Sequence, residues 1–270
     1  MPLEIKILDY GDIELESSFL VLGRDCGRTR RVLTLGFLIL GGPYPVVVDT
    51  GYRSNQIMET LGMRGLQFHE NMIENQLARY GVKMGDVRYV CHTHLHIDHA
   101  GKDDLFPMNT TVVINRRELE YSVSGLMHPQ YPAPDIKHLV DRLHTKHALR
   151  LMDLEITGPV EICPGVYCEA ANAHTEGSMN VHVHTANGVA YKMASESGIE
   201  PGGMLTFKLR DTGRLRIEAE GLQLLIHFDG SDRKELDVPL DDVAREHVEA
   251  AFLSFIQELL GGAQHAFAED

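Results

Sequence analysis

The chain has 270 residues, and 39 Asp and Glu against 25 Lys and Arg leave a formal charge of −14 at pH 7. A generic nucleic-acid binder is excluded, because affinity for polyphosphate comes mostly from Lys and Arg neutralising phosphates and the chain has no basic run; an anionic membrane surface is disfavoured on the same ground. With 43% hydrophobic and 24% charged residues, the composition is that of an ordinary globular protein. Cys26, Cys91, Cys163 and Cys168 form no CxxC pair and read as reduced thiols. Glu4, Asp9 and Asp12 interrupt the N-terminal stretch, so neither a secretory signal nor a spanning helix fits, and the expected location is the cytoplasm.

Phe37 to Asp49 places two apolar, β-rich runs around a Gly-Gly-Pro turn, a hairpin signal that ends on Asp49-Thr50-Gly51. Asn71 to Tyr80 carries Met72, Ile73, Gln76, Leu77 and Tyr80 at helical spacing with Gly81 as a stop. Asp86 to His92 reads as a strand that runs directly into Thr93-His94-Leu95-His96-Ile97-Asp98-His99-Ala100-Gly101. Thr110 to Asn115 is another strand, Arg116 to Tyr121 a helical turn, and Ser122 to Pro134 a loop with three prolines. Asp135 to Leu149 reads as an amphipathic helix with Ile136, Leu139, Val140 and Leu143 inward and His138, His144 and His147 mostly off that face.

Strands follow near 160–163, 166–171, 179–185 and 189–193, an alternation that points to an α/β sandwich rather than a doubly wound sheet. Residues 205–229 read as an antiparallel meander and 239–260 as a helix with acid near its start at Asp241 or Asp242. No repeat or linker interrupts the chain, so a single domain, 1–270, is expected, with a divergent C-terminal part from about 199.

The chemistry is concentrated in His94-x-His96-x-Asp98-His99. Residues two apart in extended backbone project to one side, so His94 and His96 can grip one ion. Asp98 and His99 follow where the chain turns and can present a carboxylate and a third imidazole to the same pocket. Imidazole and carboxylate are ligands that Zn²⁺, Fe²⁺ and Mn²⁺ accept. His92 lies on the same strand face, where a supporting or packing role fits best. Asp49 either fixes a ligand imidazole or caps a turn. His182 and His184 alternate with valines as on the polar face of a half-exposed strand. Met58, Met63, Met72, Met127 and Tyr131 fit an apolar lining or core filler.

These residues resemble the metallo-β-lactamase superfamily, whose HxHxDH motif sits at a strand end. The resemblance runs from about Phe37 to Met193 and includes Val46-Val47-Val48-Asp49-Thr50-Gly51 and Ala173-His174-Thr175-Glu176-Gly177-Ser178. Around Tyr131-Pro132-Ala133-Pro134-Asp135 it is similar to the N-acyl homoserine lactonase-like hydrolases. The resemblance implies an αβ/βα sandwich of two mixed sheets flanked by helices. It implies one metal on His94, His96 and His174 and a second on Asp98, His99 and a further His, with zinc as the expected ion and iron or manganese as substitutes. It also implies a metal-dependent hydrolase that opens a lactone or related cyclic ester through a metal-bound hydroxide, with Asp98 orienting that nucleophile.

The chain departs from the family pattern where a bridging Asp is expected, since Ser195 stands there and Gly198 stands where lactonases of this type carry a tyrosine. Either Glu196 reaches in instead, or the second metal is weak or absent. The late-strand histidine ligand corresponds to His227, for which a packed or hydrogen-bonded imidazole is the competing reading. The alternatives to lactone hydrolysis are a mononuclear enzyme resembling persulfide dioxygenases and a degenerate member that only binds ligand. The expected partners are a small-molecule substrate and, through the C-terminal helix, a second copy of the chain.

Overall fold

A computed structural model describes residues 2–20, 26–126, 128–171, 174–185, 188–192, 204–209, 213–220, 223–229 and 234–239, with side chains up to residue 185 apart from His128. The strands are β1 (Glu4–Glu16), β2 (Thr29–Leu40), β3 (Val46–Val48), β4 (Arg64–Leu66), β5 (Tyr89–Cys91), β6 (Thr111–Asn115), β7 (Leu149–Met152), β8 (Val160–Cys163), β9 (Val166–Ala170), β10 (Met179–Thr185) and β11 (Gly188–Lys192). The helices are α1 (Asn55–Met58), α2 (Ile73–Ala78), α3 (Arg116–Ser122), α4 (Ala133–Leu143) and α5 (Leu154–Thr157).

A seven-stranded sheet runs in the order β4-β1-β2-β3-β5-β6-β7. Its β4, β1, β2 and β3 pair antiparallel, and β3, β5, β6 and β7 pair parallel, so it is mixed. A second sheet has the order β11-β10-β9-β8, with β8, β9 and β10 pairing antiparallel. The period of two assigns the faces. Val46, Val48, Cys91 and Val113 point to the second sheet and join Ile162, Val166, Cys168, Met179 and Val181 in one buried cluster. Val47, Val90, Val112 and Ile114 point the other way, against Ile73 and Leu77 of α2 and Ile136 and Leu139 of α4. Helices on one sheet face and a second sheet on the other make the expected sandwich.

The chain separates into two compact units, Met1–Val183 with Tyr191–Ser197 and His184–Ala190 with Gly198–Asp270. The second contains an antiparallel four-stranded meander, β12 (Met204–Leu209), β13 (Gly213–Glu220), β14 (Gln223–Asp229) and β15 (Lys234–Pro239). The helix expected over 239–260 falls almost wholly outside the described residues. Among the described residues no helix is long and apolar enough to cross a membrane.

Helix α4 corrects the expected amphipathic face. Val140 and Leu143 are exposed, and the buried stripe is Asp135, Ile136, Leu139 and Arg142. The helix packs over the polar turn at Asp103, and Arg142 satisfies the backbone there by donating to the carbonyls of Asp103, Phe106 and Thr110. His138 also turns inward, with Nε2 3.3 Å from Asp103 Oδ2, rather than lying on a solvated face.

Candidate metal centre

Parallel strands β3 and β5 end at the same sheet edge and deliver Asp49 and His92 side by side, the usual place for a site in such a sheet. Beyond β5 the backbone makes a tight turn, with His99 N and Ala100 N both donating to the His96 carbonyl. The turn is held from three sides: Thr50 N donates to the His99 carbonyl, Gly101 N to that of Gly51, and Ile97 N to that of Gln130. Gly101 has to be glycine, because a Cβ there would lie 2.3 Å from Arg53 N.

This turn brings His94 and His96 together with His174, and one nitrogen from each lies within 4.8 Å of the others. His174 Nε2 is 3.0 Å from His96 Nδ1. The ring of His99 packs at 4.0 Å from that of His94, and His99 Nε2 is 3.3 Å from Asp98 Oδ2. The donor set fits a divalent cation. His96 Nε2 is buried without a hydrogen-bond partner, and burial pushes the His96 pKa down to about 3, so the ring is neutral with a lone pair to give. Burial alone would raise the Asp98 pKa, but the charge and hydrogen bond of His99 hold it well below the usual carboxylate range.

Asp49 supports this shell from behind. Its carboxylate accepts Thr93 N at 2.8 Å, Thr93 Oγ1 at 2.9 Å and the Nδ1–H of His99 at 3.1 Å. Its backbone sits at φ 60, where Asp is tolerated, and its carbonyl accepts the Tyr10 hydroxyl. Of the two roles read for Asp49 in the sequence, the geometry is that of fixing an imidazole, the His99 ring. His92 is engaged by carboxylates instead. Its Nε2 lies 2.6 Å from Asp103 Oδ1 and its Nδ1 3.6 Å from Asp49 Oδ1. Burial works against protonation of His92, yet Asp103 and Asp49 raise its pKa to about 10.

Sequence reasoning passed over Glu118 and Asp103. Glu118 is buried on α3 and accepts hydrogen bonds from Leu95 N, the Tyr131 hydroxyl and the Thr175 hydroxyl. Neither residue lies in a spacing pattern, because their partners are 11 to 57 residues away in the chain. Tyr131 borders His96 at 4.9 Å between rings rather than only filling apolar space, and Met58 is core filler among Ile13, Leu15, Tyr52 and Ile97. His182 Nε2 pairs with Glu169 at 3.0 Å on the outer face of β10. Glu196, Ser195 and Met127 lie outside the described residues. Of His227 only the backbone is described, within β14 of the second unit, in register with Arg216 and Glu235.

An αβ/βα sandwich with clustered histidines where its parallel strands end defines a metal-binding domain. The sequence agrees: residues 31–153 match the family model of the Metallo-beta-lactamase superfamily. The family and the His94, His96 and His174 group together imply a divalent metal centre. The chain is 27% identical over 151 residues to N-acyl homoserine lactonase AiiA of Bacillus thuringiensis subsp. kurstaki, covering 52% of this chain and 54% of that protein. It thus spans about half the length of the curated relatives it matches. A solved structure of a B. thuringiensis AiiA mutant with N-decanoyl-L-homoserine at its active site shares the fold at TM-score 0.60 and 22% identity, over 71% of this chain and 75% of that one. AidC, a dizinc quorum-quenching lactonase in complex with a product, shares it at TM-score 0.52 and 18% identity, over 70% of each chain.

Proposed function

We propose that the chain is a divalent-metal-dependent hydrolase that opens a lactone or related cyclic ester, with N-acyl homoserine lactones as the first substrates to test. The observation that carries this is the convergence of His94, His96 and His174 beside the Asp98–His99 pair. The lactonases among the relatives support the choice of substrate. The dizinc lactonase AidC supports hydrolysis with zinc over a mononuclear iron oxygenase or a degenerate binder.

His94, His96 and His174 would hold one ion, and Asp98 and His99 would hold a second, with Glu196 as a further candidate ligand. Bound there, zinc supplies a Lewis acid and lowers the pKa of water. Asp98 remains ionised and keeps 21% of its side chain exposed, so it can orient an attacking water by accepting its hydrogen. Asp49 and Thr93 keep the His99 ring in one orientation while this happens. The buried thiols of Cys91, Cys163 and Cys168 support a reducing, cytoplasmic location, and the expected C-terminal helix is the candidate contact for a homodimer; cell fractionation and sedimentation of the purified protein test the two.

The decisive experiment is metal analysis of the purified protein together with ring opening of N-hexanoyl homoserine lactone before and after chelation. The expected result is one or two zinc ions per chain, activity lost on chelation, and activity restored by zinc. A protein that binds no transition metal, or that hydrolyses lactone regardless of chelator, removes the proposal.

A further inference from the structure

We propose that Glu118 is a positioning residue of the metal centre, whose single carboxylate sets the separation between the His94–His96 segment and the His174 segment. This rests on the divalent metal centre and is independent of which substrate the site takes.

The two segments that carry the clustered imidazoles come from chain positions nearly eighty residues apart, and Glu118 touches both. Its Oε1 accepts Leu95 N, between His94 and His96, at 2.9 Å. Its Oε2 accepts Thr175 Oγ1, next to His174, at 2.5 Å. A third donor, the Tyr131 hydroxyl, reaches Oε1 at 3.1 Å, and the Tyr131 ring then lies 4.9 Å from His96. Ionised carboxylate is the side chain that suits three converging donors, because it only accepts and offers about four lone-pair sites. Glu118 is 1% exposed, so water does not replace these bonds.

The base of the clamp is fixed as well. The start of α3 is held by Asn115 Nδ2 donating to the Gly177 carbonyl at 3.1 Å and by Arg116 pairing with Asp153 at 2.7 Å. Gly177 approaches so closely that a Cβ there would lie 1.9 Å from Glu118 N. The His174 turn is thus seated on the helix that carries Glu118, and the carboxylate transmits that seating to the His94–His96 turn.

The variants separate geometry from charge. Glu118→Gln keeps an oxygen for Leu95 N–H, and its NH₂ donates to the Thr175 hydroxyl, which can rotate to accept. Glu118→Ala removes every contact, and Thr175→Val removes the His174 arm alone at nearly constant volume. Zinc affinity is measured on each purified full-length protein by competition with a chromophoric chelator, without substrate, alongside thermal unfolding of the metal-free form. We expect Glu118→Ala to weaken zinc binding about 10–100-fold, Thr175→Val about 10-fold, and Glu118→Gln by less than either. A purely structural role predicts a lower unfolding temperature for the metal-free variants with wild-type zinc affinity, and that result overturns the proposal. If Glu118→Ala does not fold, Thr175→Val decides: wild-type zinc affinity in it overturns the proposal, and weakened affinity supports it. A wild-type protein that binds zinc yet opens no lactone refutes the proposed function alone, and one that binds no divalent ion refutes both.

Discussion

Asp49→Asn isolates the effect of fixing which nitrogen of His99 faces the cation. Asn has nearly the volume of Asp and tolerates φ 60, so the backbone has no reason to move. The Thr93 N–H, fixed in the chain, claims the amide oxygen in place of Oδ1, from which it now lies 2.8 Å. The new NH₂ then occupies the position of Oδ2, 2.9 Å from Thr93 Oγ1 and 3.1 Å from His99 Nδ1. The threonine hydroxyl rotates to accept. The imidazole can meet an NH₂ only through a lone pair on Nδ1, which moves its proton to Nε2, the nitrogen 3.3 Å from Asp98 that a metal requires unprotonated. Loss of such support costs about 10–100-fold in metal affinity, or roughly 1.4–2.8 kcal/mol. Every donor to residue 49 keeps a partner, so what the metal-free protein loses in stability is the carboxylate charge facing His92 Nδ1 at 3.6 Å. Asp49→Ala differs, because it strands the buried Thr93 N–H at a cost of about 1–3 kcal/mol and puts Ala at positive φ. Chelator competition and urea unfolding of both variants measure these quantities. Wild-type zinc affinity and stoichiometry in Asp49→Asn would show the tautomer argument to be wrong.

Gly177→Ala places a methyl group 1.9 Å from Glu118 N, and restoring a contact of 3.4 Å requires the His174 turn to back away by about 1.5 Å. We expect a loss of about 2–4 kcal/mol in chemical denaturation together with weaker zinc binding; unchanged values for both would contradict the seating of this turn on α3. Burial lowers the Lys102 pKa from the usual 10.5 to about 8, so from pH 8 to 10.5 the unfolded chain holds more protons and the group's contribution to stability rises with pH. Relative to Lys102→Met, wild type should therefore gain up to about 3 kcal/mol between pH 7 and 10.5, and parallel pH profiles of unfolding would refute this. Zinc at 100 times its Kd should add about 2.7 kcal/mol to stability, seen by calorimetry as a higher Tm that chelator reverses; a Tm indifferent to chelator would exclude the metal centre.

Strand identity was legible wherever both faces of a strand are buried. Val46-Val47-Val48, Tyr89 to Cys91 and Val112 to Ile114 announce themselves as apolar runs because both faces of the large sheet are covered. The longest strand, β1, carries no such mark, and β2 shows it only at its end, Phe37 to Leu40. Acidic residues punctuate β1, and its buried and half-exposed positions alternate on a surface that the sequence does not reveal. In α4 the apolar spacing suggested one face, and burial followed another, because Asp135 and Arg142 found an ion partner and three carbonyls inside.

The site divides along the same line. His94, His96, Asp98 and His99 were legible because their spacing is local, whereas what each imidazole does is not written locally at all. His92 and His96 stand four residues apart in one segment, both buried, and their pKa values move in opposite directions, to about 10 and to about 3. Desolvation disfavours the cation in both rings. What reverses the outcome at His92 is a carboxylate that lies 2.6 Å away in space and eleven residues away in sequence, at a position no periodicity singles out. His96 has no carboxylate hydrogen-bonded to its ring, and its Nε2 lone pair is left for a cation. The residue that makes one histidine a charged internal prop, while the other stays a neutral imidazole, is therefore Asp103, and only the fold brings it there.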